Sequence, residues 1–318
     1  MRKLILALII LNVLSVFLGL SIGSAINPAE SLYGLVHGKE TIKSLILNYR
    51  LPRTLTAMLV GASLSIAGCT MQAFFRNPLA DPYILGVSSG ASVGAALAIL
   101  LGIATTYNLI FMAFITSIAT ATLVYKLGKS AIIGESYGIL LAGIAVASFL
   151  SGLTAILIYM AGESMHKVVF WILGSFSNSK WEKFLFSAPI SCICIAYILF
   201  NSWKLNAILL GDEHAISVGL NVSRFRKRLV TVISLLTSSA VAISGVIGFV
   251  GIIIPHTMRL IVGESHQRLL ITTLFLGSAF MPIVDIIARS SISGELPIGA
   301  LTALIGAPFF VYLLRRGV

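Results

Sequence analysis

Between Arg50 and Gly94 the chain reads RLPRTLTAMLVGASLSIAGCTMQAFFRNPLADPYILGVSSGASVG, and the fold is decided there. Thr54 to Phe75 carries no charged residue. At 1.5 Å of rise per residue, roughly 20 apolar residues cross about 30 Å of hydrocarbon. Polar elements bracket the run, with Arg50 and Arg53 ahead of it and an Asn77-Pro78 segment behind. Pro78 and Pro82 each disfavour helical geometry in the residue before, Asn77 and Asp81, so the spacing predicts a helix stop and a structured loop. Gly86, Gly90 and Gly94 then recur every fourth residue, a side-chain-free stripe suited to close helix packing in lipid.

Outward from this stretch the character persists. Residues are 58% hydrophobic and 10% charged, with a mean hydropathy of +1.01, whereas soluble domains carry about 25% charged residues. No segment alternates with the period of a barrel strand, so the class is an all-α polytopic membrane protein. Ten spans are expected, near 3–23, 54–75, 89–105, 107–126, 137–160, 184–203, 229–245, 247–263, 269–289 and 297–314, with the weakest break at Gly102 to Asn108. The whole chain, 1–318, reads as one transmembrane domain. A cleaved signal peptide ending near Gly23-Ser24-Ala25 is the alternative to a first span. The apolar run Leu4 to Leu20 exceeds the usual h-region of about 7–15 residues, so a retained span is expected.

Charge sets the orientation. With the N-terminus inside, most of the 22 Lys and Arg fall on the cytoplasmic side, including the clusters Arg224 to Arg228 and Arg315-Arg316. Lys39, Lys43, Arg50, Arg53, Lys167, Lys180, Lys183 and Arg289 then lie outside, and both termini are cytoplasmic. Anionic headgroups account for the net charge of +11, and no nucleic-acid partner is implied. Cys192 and Cys194, two apart on a helix, point in nearly opposite directions, and the five histidines are scattered. Gly128-Lys129-Ser130 lacks the upstream glycine of a phosphate loop, since position 123 is Leu. No metal site, cofactor or catalytic constellation is expected.

Three further stretches carry information. LLGDEHAISVGLNVSRFRKR (Leu209 to Arg228) lies in the longest polar interruption, a cytoplasmic segment of about 204–228. Asp212 and Glu213 suit the first turn of a helix, and Gly219 suits its left-handed close, which predicts about two turns outside the membrane. In GVIGFVGIIIPHTMRLIVGESHQRLL (Gly245 to Leu270), Pro255 falls inside an apolar run, frees a carbonyl one turn earlier and predicts a kink. His256 and Arg259 share one face there, and snorkelling to the headgroups is the plain alternative to a specific role. Asp285 and Arg289, four apart, can pair on a helix ahead of ELPIGALTALIGAPFFVYLL (Glu295 to Leu314), which includes Pro297.

These motifs, in this order, resemble the FecCD-type permeases, the membrane subunits of type II ATP-binding-cassette importers for iron chelates, haem and cobalamin. RLPRT matches unbroken. Gly248, Phe249, Gly251, Pro255, His256 and Arg259 match the family's G-F-x-G-x-x-x-P-H-x-x-R. The final motif matches from Glu295, with one residue fewer after Arg289. Leu210, Gly211, Ala215 and Gly219 match L-G-E-x-x-A-x-x-x-G, with Asp212 for Glu. The resemblance implies that Leu210, Gly211, Asp212, Glu213, Ala215 and Gly219 belong to a coupling helix seated in a separate ATPase subunit. It implies that Arg50, Arg53 and Arg289 meet glutamates of a substrate-binding protein. The fifth span would line the axis of a homodimer, with Ser148, Ser151 and Thr154 on the pathway, and two ATPase subunits would complete the assembly in the cell membrane. Spans 2–5 and 7–10 would form an inverted repeat, at which an offset of 177 residues hints by aligning Gly68 with Gly245, Pro78 with Pro255 and Gly86 with Gly263. The cargo stays open among ferric siderophore, cobalamin and haem. The alternative is an autonomous secondary transporter or channel driven by an ion gradient, which calls for mid-membrane ionisable residues, and the sequence offers Asp285 alone, near a helix end.

Overall fold

The computed structural model describes residues 1–23, 40–132, 134–291 and 294–316, with side chains to residue 311. Ser24, Ala25 and Lys39, and the side chains of Arg315 and Arg316, lie outside the described residues. Among those described, the regular structure is helical throughout: α1 (Arg2–Ser21), α2 (Glu40–Phe75), α3 (Val87–Leu100), α4 (Thr106–Lys129), α5 (Glu135–Met160), α6 (Met165–Ile172), α7 (Trp181–Phe200), α8 (Ser202–Leu209), α9 (Asp212–Ser217), α10 (Val222–Ser244), α11 (Val250–Val262), α12 (His266–Ser291) and α13 (Ile298–Arg316). Seven of them (α1, α2, α4, α5, α7, α10 and α12) are long and apolar enough to cross a membrane. Three shorter apolar helices, α3, α11 and α13, occupy the remaining expected segments.

Several boundaries differ from expectation for local reasons. α2 begins at Glu40, well before Thr54, because the chain runs through one π-helical turn (Ile46–Arg50) into the apolar run. α10 begins at Val222 rather than Leu229, because the Asn221 side chain accepts from the Arg224 amide and starts the helix early. The weak break after α3 is real: Gly102 turns at φ +70, and the Thr105 hydroxyl caps α4 by accepting from the Asn108 amide at 3.3 Å. The polar connector holds the short helix expected at Asp212, α9, and a further one, α8, ahead of it.

α2 is the central element. It is buried almost without interruption from Val60 to Phe74 and packs on α7, α10, α11 and α12. Two glycines make this possible: a Cβ on Gly61 would collide with the Gly277 carbonyl of α12, and one on Gly68 with the Gly251 carbonyl of α11. The stripe Gly86, Gly90 and Gly94 lies against Thr120, Thr116 and the Met112 carbonyl of α4.

α3 and α11 have 14 and 13 residues, about 20 Å each, too short to cross alone. Each is entered through a left-handed residue, Gly86 (φ +72) after a 3₁₀ turn for α3 and Phe249 (φ +67) after irregular chain for α11. The Phe249 ring is accommodated where Gly306 of α13 has no side chain. These two entries are related by an offset of 163, from 86 to 249, and not by 177. The 177 matches pair unlike positions. Gly68 is mid-helix while Gly245 ends α10, and Pro78 lies in a loop while Pro255 is inside α11.

Candidate functional site

Where α2 leaves the membrane run, Arg76 takes a left-handed turn (φ 51), and the Asn77 side chain accepts from the Leu79 amide at 2.9 Å. Asp81 accepts from the Tyr83 amide at 2.8 Å and starts a short 3₁₀ turn, Pro82–Leu85. The Tyr83 hydroxyl then reaches the break between α10 and α11, donating to the Ile247 carbonyl at 2.9 Å and accepting from the Ile247 amide at 3.2 Å. Irregular backbone at membrane depth persists only where protein or water satisfies its polar groups, and here one side chain serves both groups of one residue.

Pro255 has no N–H, so the Gly251 carbonyl lacks its intrahelical donor. Gln72 of α2 supplies one: Nε2 donates to Gly251 O at 3.3 Å, while Oε1 accepts from Arg259 Nη2 at 2.7 Å. His256 is buried against Phe309, the ring centroids 6.3 Å apart, and Arg259 is turned inward to Gln72. Neither snorkels to headgroups.

At the same end of the bundle, α9 closes in a Schellman pattern: Leu220 N donates to Ala215 O at 3.0 Å and Gly219 N to Ile216 O at 2.9 Å, with Gly219 at φ +82. Ala215 is buried, while Leu210, Ile216 and Val218 are exposed apolar side chains beside exposed Glu213. Gly211 (φ 124) precedes Asp212, whose carboxylate is held by Arg76 and, at 3.0 Å, by Arg226. Arg76 also donates to the Ile208 carbonyl at 2.8 Å. Arg226 lies over the Phe74 ring and reaches Glu135, the first residue of α5, at 3.6 Å. Arg76, Glu135 and Arg226 thus join α9 to the α2–α3 loop and to α5. Their sequence signal was weak, because their partners lie far away along the chain.

At the opposite end, the three arginines expected to face outward are turned inward. Arg50 donates to the Leu20 and Ser21 carbonyls at the end of α1, at 2.8 and 3.0 Å. Arg53 forks onto Asp285 at 2.8 Å and Glu295 at 2.9 Å. Arg289 donates to the Gly19 carbonyl at 2.8 Å and stands 3.7 Å from Asp285. Arg50 is thus held at the end of α1, and Arg53 by Asp285 and Glu295. All three line one cleft of about 210 Å³ with Ser177, Asn178 and Lys180. Glu295 is left-handed (φ 55) two residues before Pro297, a strained position for a non-glycine residue.

On α5 the three residues expected on a pathway differ in burial. Ser148 and Ser151 are exposed, beside Gly152, which has open space before it, whereas Thr154 is buried and its hydroxyl donates to Leu150 O at 2.8 Å. Gly143 of the same helix is buried against the Ile84 carbonyl. Among the described residues, no group of three or more His, Cys, Asp or Glu is placed to hold a metal.

Interrupted helices held together by side chains, and a clamped helix pair at one end of an apolar bundle, define a multi-pass transport protein. The profile of the FecCD transport family matches residues 8–316, and the chain belongs to that family. It is 39% identical over 276 residues to the cobalamin import system permease protein BtuC of Halobacterium salinarum, covering 87% of this chain and 74% of that one. It is 36% identical to the molybdate import system permease protein MolB of Haemophilus influenzae, covering 99% and 97%. An inward-facing structure of a metal-chelate type ABC transporter superposes with a TM-score of 0.89 at 35% identity, covering 99% of this chain and all of that one. The chain is a permease of ATP-binding-cassette import systems.

Proposed function

We propose that the chain forms the pathway of an importer for a metal chelate or metal-containing cofactor, as a homodimer with two separate ATPase subunits and a substrate-binding protein. The whole chain, 1–318, is one permease domain of the cytoplasmic membrane, with both termini and the 204–228 segment in the cytoplasm. It carries no catalysis of its own. One observation carries this reading: Asp212 of α9 is tied through Arg226 to Glu135 at the start of α5. A push on α9 is therefore delivered to the helix whose exposed face holds Ser148 and Ser151. The exposed Leu210, Ile216 and Val218 supply an apolar surface for an ATPase groove. Asp212, Glu213, Ala215, Gly211 and Gly219 shape that surface.

On the outer face, a docking carboxylate reaches Arg53 by displacing Glu295, the more exposed of its two partners. Two copies fit because one chain offers one α9 and a closed twofold assembly offers two grooves. The relatives' named cargoes, cobalamin in one case and molybdate in another, favour a metal-containing substrate. Ferric siderophore, cobalamin and haem stay the leading choices. The test is uptake by proteoliposomes with and without the ATPase subunit. ATP-dependent uptake is expected, and uptake driven by an ion gradient without the ATPase would establish a secondary transporter instead.

A further inference from the structure

At the α9 end a cavity of about 530 Å³ opens among α2, its loop to α3, α8, α11 and α12. Its walls include Gln72, Arg76, His256, Arg259 and His266, with Glu264 exposed at the rim. Four polar atoms of these lining residues are buried and, among the described residues, have no partner: both ring nitrogens of His256, Nη1 of Arg259 and Nε2 of His266. His256 is 3% exposed and His266 1%. Buried donors and acceptors left unpaired are costly, so a cluster of them on one cavity indicates a missing partner.

The hydrogen bonds around the cluster define that partner's chemistry. Arg259 can only donate, and one of its nitrogens is already committed to Gln72 Oε1. His266 Nδ1 lies 2.8 Å from Asn206 Oδ1, which also accepts from the His266 amide at 2.9 Å. The Asn206 amide nitrogen donates to Gln267 Oε1 at 2.6 Å, so Oδ1 is an acceptor and His266 Nδ1 carries the proton. His266 Nε2 is therefore left with a buried lone pair, on a residue that lines the same cavity as Arg259 with its unpaired guanidinium nitrogen. A metal cation would suit the lone pair and be repelled by Arg259. An oxyanion without hydrogen would suit Arg259 and repel the lone pair. A hydrogen-bearing oxyanion satisfies both: its O–H donates to His266 Nε2, and its charged oxygens accept from Arg259 and from the protonated nitrogen of His256. Inorganic phosphate keeps an O–H at neutral pH and sulfate does not. Arg76 adds no net charge, since Asp212 neutralises it.

We propose that this cavity is a binding site for hydrogen phosphate, supplied as the free anion or as a phosphate-monoester headgroup, and that Arg259, His256 and His266 hold it. The test uses the full chain purified without phosphate, titrated by calorimetry with inorganic phosphate and with sulfate at matched ionic strength. Phosphate should bind about tenfold or more tightly than sulfate, as expected where a buried acceptor goes unpaired with the wrong ligand. Equal binding of the two, or no saturable phosphate binding, overturns the proposal. His266→Phe should bring phosphate down to the affinity of sulfate, and Arg259→Gln should weaken both. Should either variant fail to fold, the parent comparison decides by itself. In nanodiscs, phosphatidic acid that weakens phosphate binding relative to phosphatidylcholine identifies the headgroup as the occupant. Unchanged binding identifies the free anion.

Discussion

The Tyr83 hydroxyl bonds both the carbonyl and the amide of Ile247, at 2.9 and 3.2 Å, and so joins the two helix interruptions of the bundle. Tyr83 belongs to the 3₁₀ turn ahead of α3, and Ile247 to the extended chain ahead of α11. Each interruption leaves backbone groups that lipid cannot satisfy, and each is stabilised through the other.

Tyr83→Phe removes this link while keeping the ring. Two buried backbone groups of Ile247 lose their partner, and each costs about 1–3 kcal/mol when left unmade. A fall of several degrees in the unfolding midpoint of the purified chain is expected, measured by intrinsic fluorescence in detergent. An unchanged midpoint would show that water replaces the hydroxyl.

Gly68→Ala should be far worse than its added methyl implies. Its Cβ would enter the Gly251 carbonyl oxygen, which is backbone and cannot swing aside, so α2 and α11 must separate and the Gln72 bridge must break. Overpacking of this kind costs about 1–3 kcal/mol or more, and yield of folded chain should drop sharply. Gly152→Ala, with nothing within 4 Å, should leave the chain's own fold intact. Size-exclusion profiles of the two variants check the contrast.

Asp212→Asn should separate stability from coupling. Asp212 and Arg76 are substantially exposed, and such ion pairs contribute about 0–1 kcal/mol. The unfolding midpoint should therefore barely move. Orientation of α9 by Arg76 and Arg226 is lost, however, so cargo-stimulated ATP hydrolysis by the assembled transporter should fall several-fold. Normal stimulation would show that α9 is positioned by its apolar contacts alone.

The two carboxylates that grip Arg53 should behave unequally. Asp285 is 1% exposed and lies among Arg53 and Arg289, whereas Glu295 is 29% exposed. Breaking a buried pair costs about 3–5 kcal/mol, because it strands the remaining charge. Asp285→Asn should therefore abolish folding or lower the midpoint severely, while Glu295→Gln should cost about 1 kcal/mol or less. For the same reason, charge reversal at Arg50 and Arg53 should cause a folding defect before any loss of binding-protein docking is read. Thermal unfolding of each variant across a salt series measures the difference.

The class and the placement of the apolar helices were legible because they follow from local terms. An uncharged run of sufficient length must span, proline must stop or notch a helix, and a glycine every fourth residue leaves one face flat whatever stands opposite. Pro255 shows the limit. Its sequence position announces an unpaired carbonyl at Gly251, but nothing local says that Gln72, 179 residues away, supplies the donor.

By itself, then, the sequence determined an all-helical membrane bundle, its family motifs and the helix breaks, since lipid length and backbone hydrogen bonding leave little choice. Only the tertiary structure decided what each charge does. RLPRT reads the same whether its guanidiniums point outward or inward, and the choice rests on Asp285, Glu295 and the end of α1 closing around them. Asp212 likewise reads as a helix-starting acid until the fold brings Arg76 and Arg226 to it. Electrostatic pairing depends on distance in space, and sequence separation does not encode it.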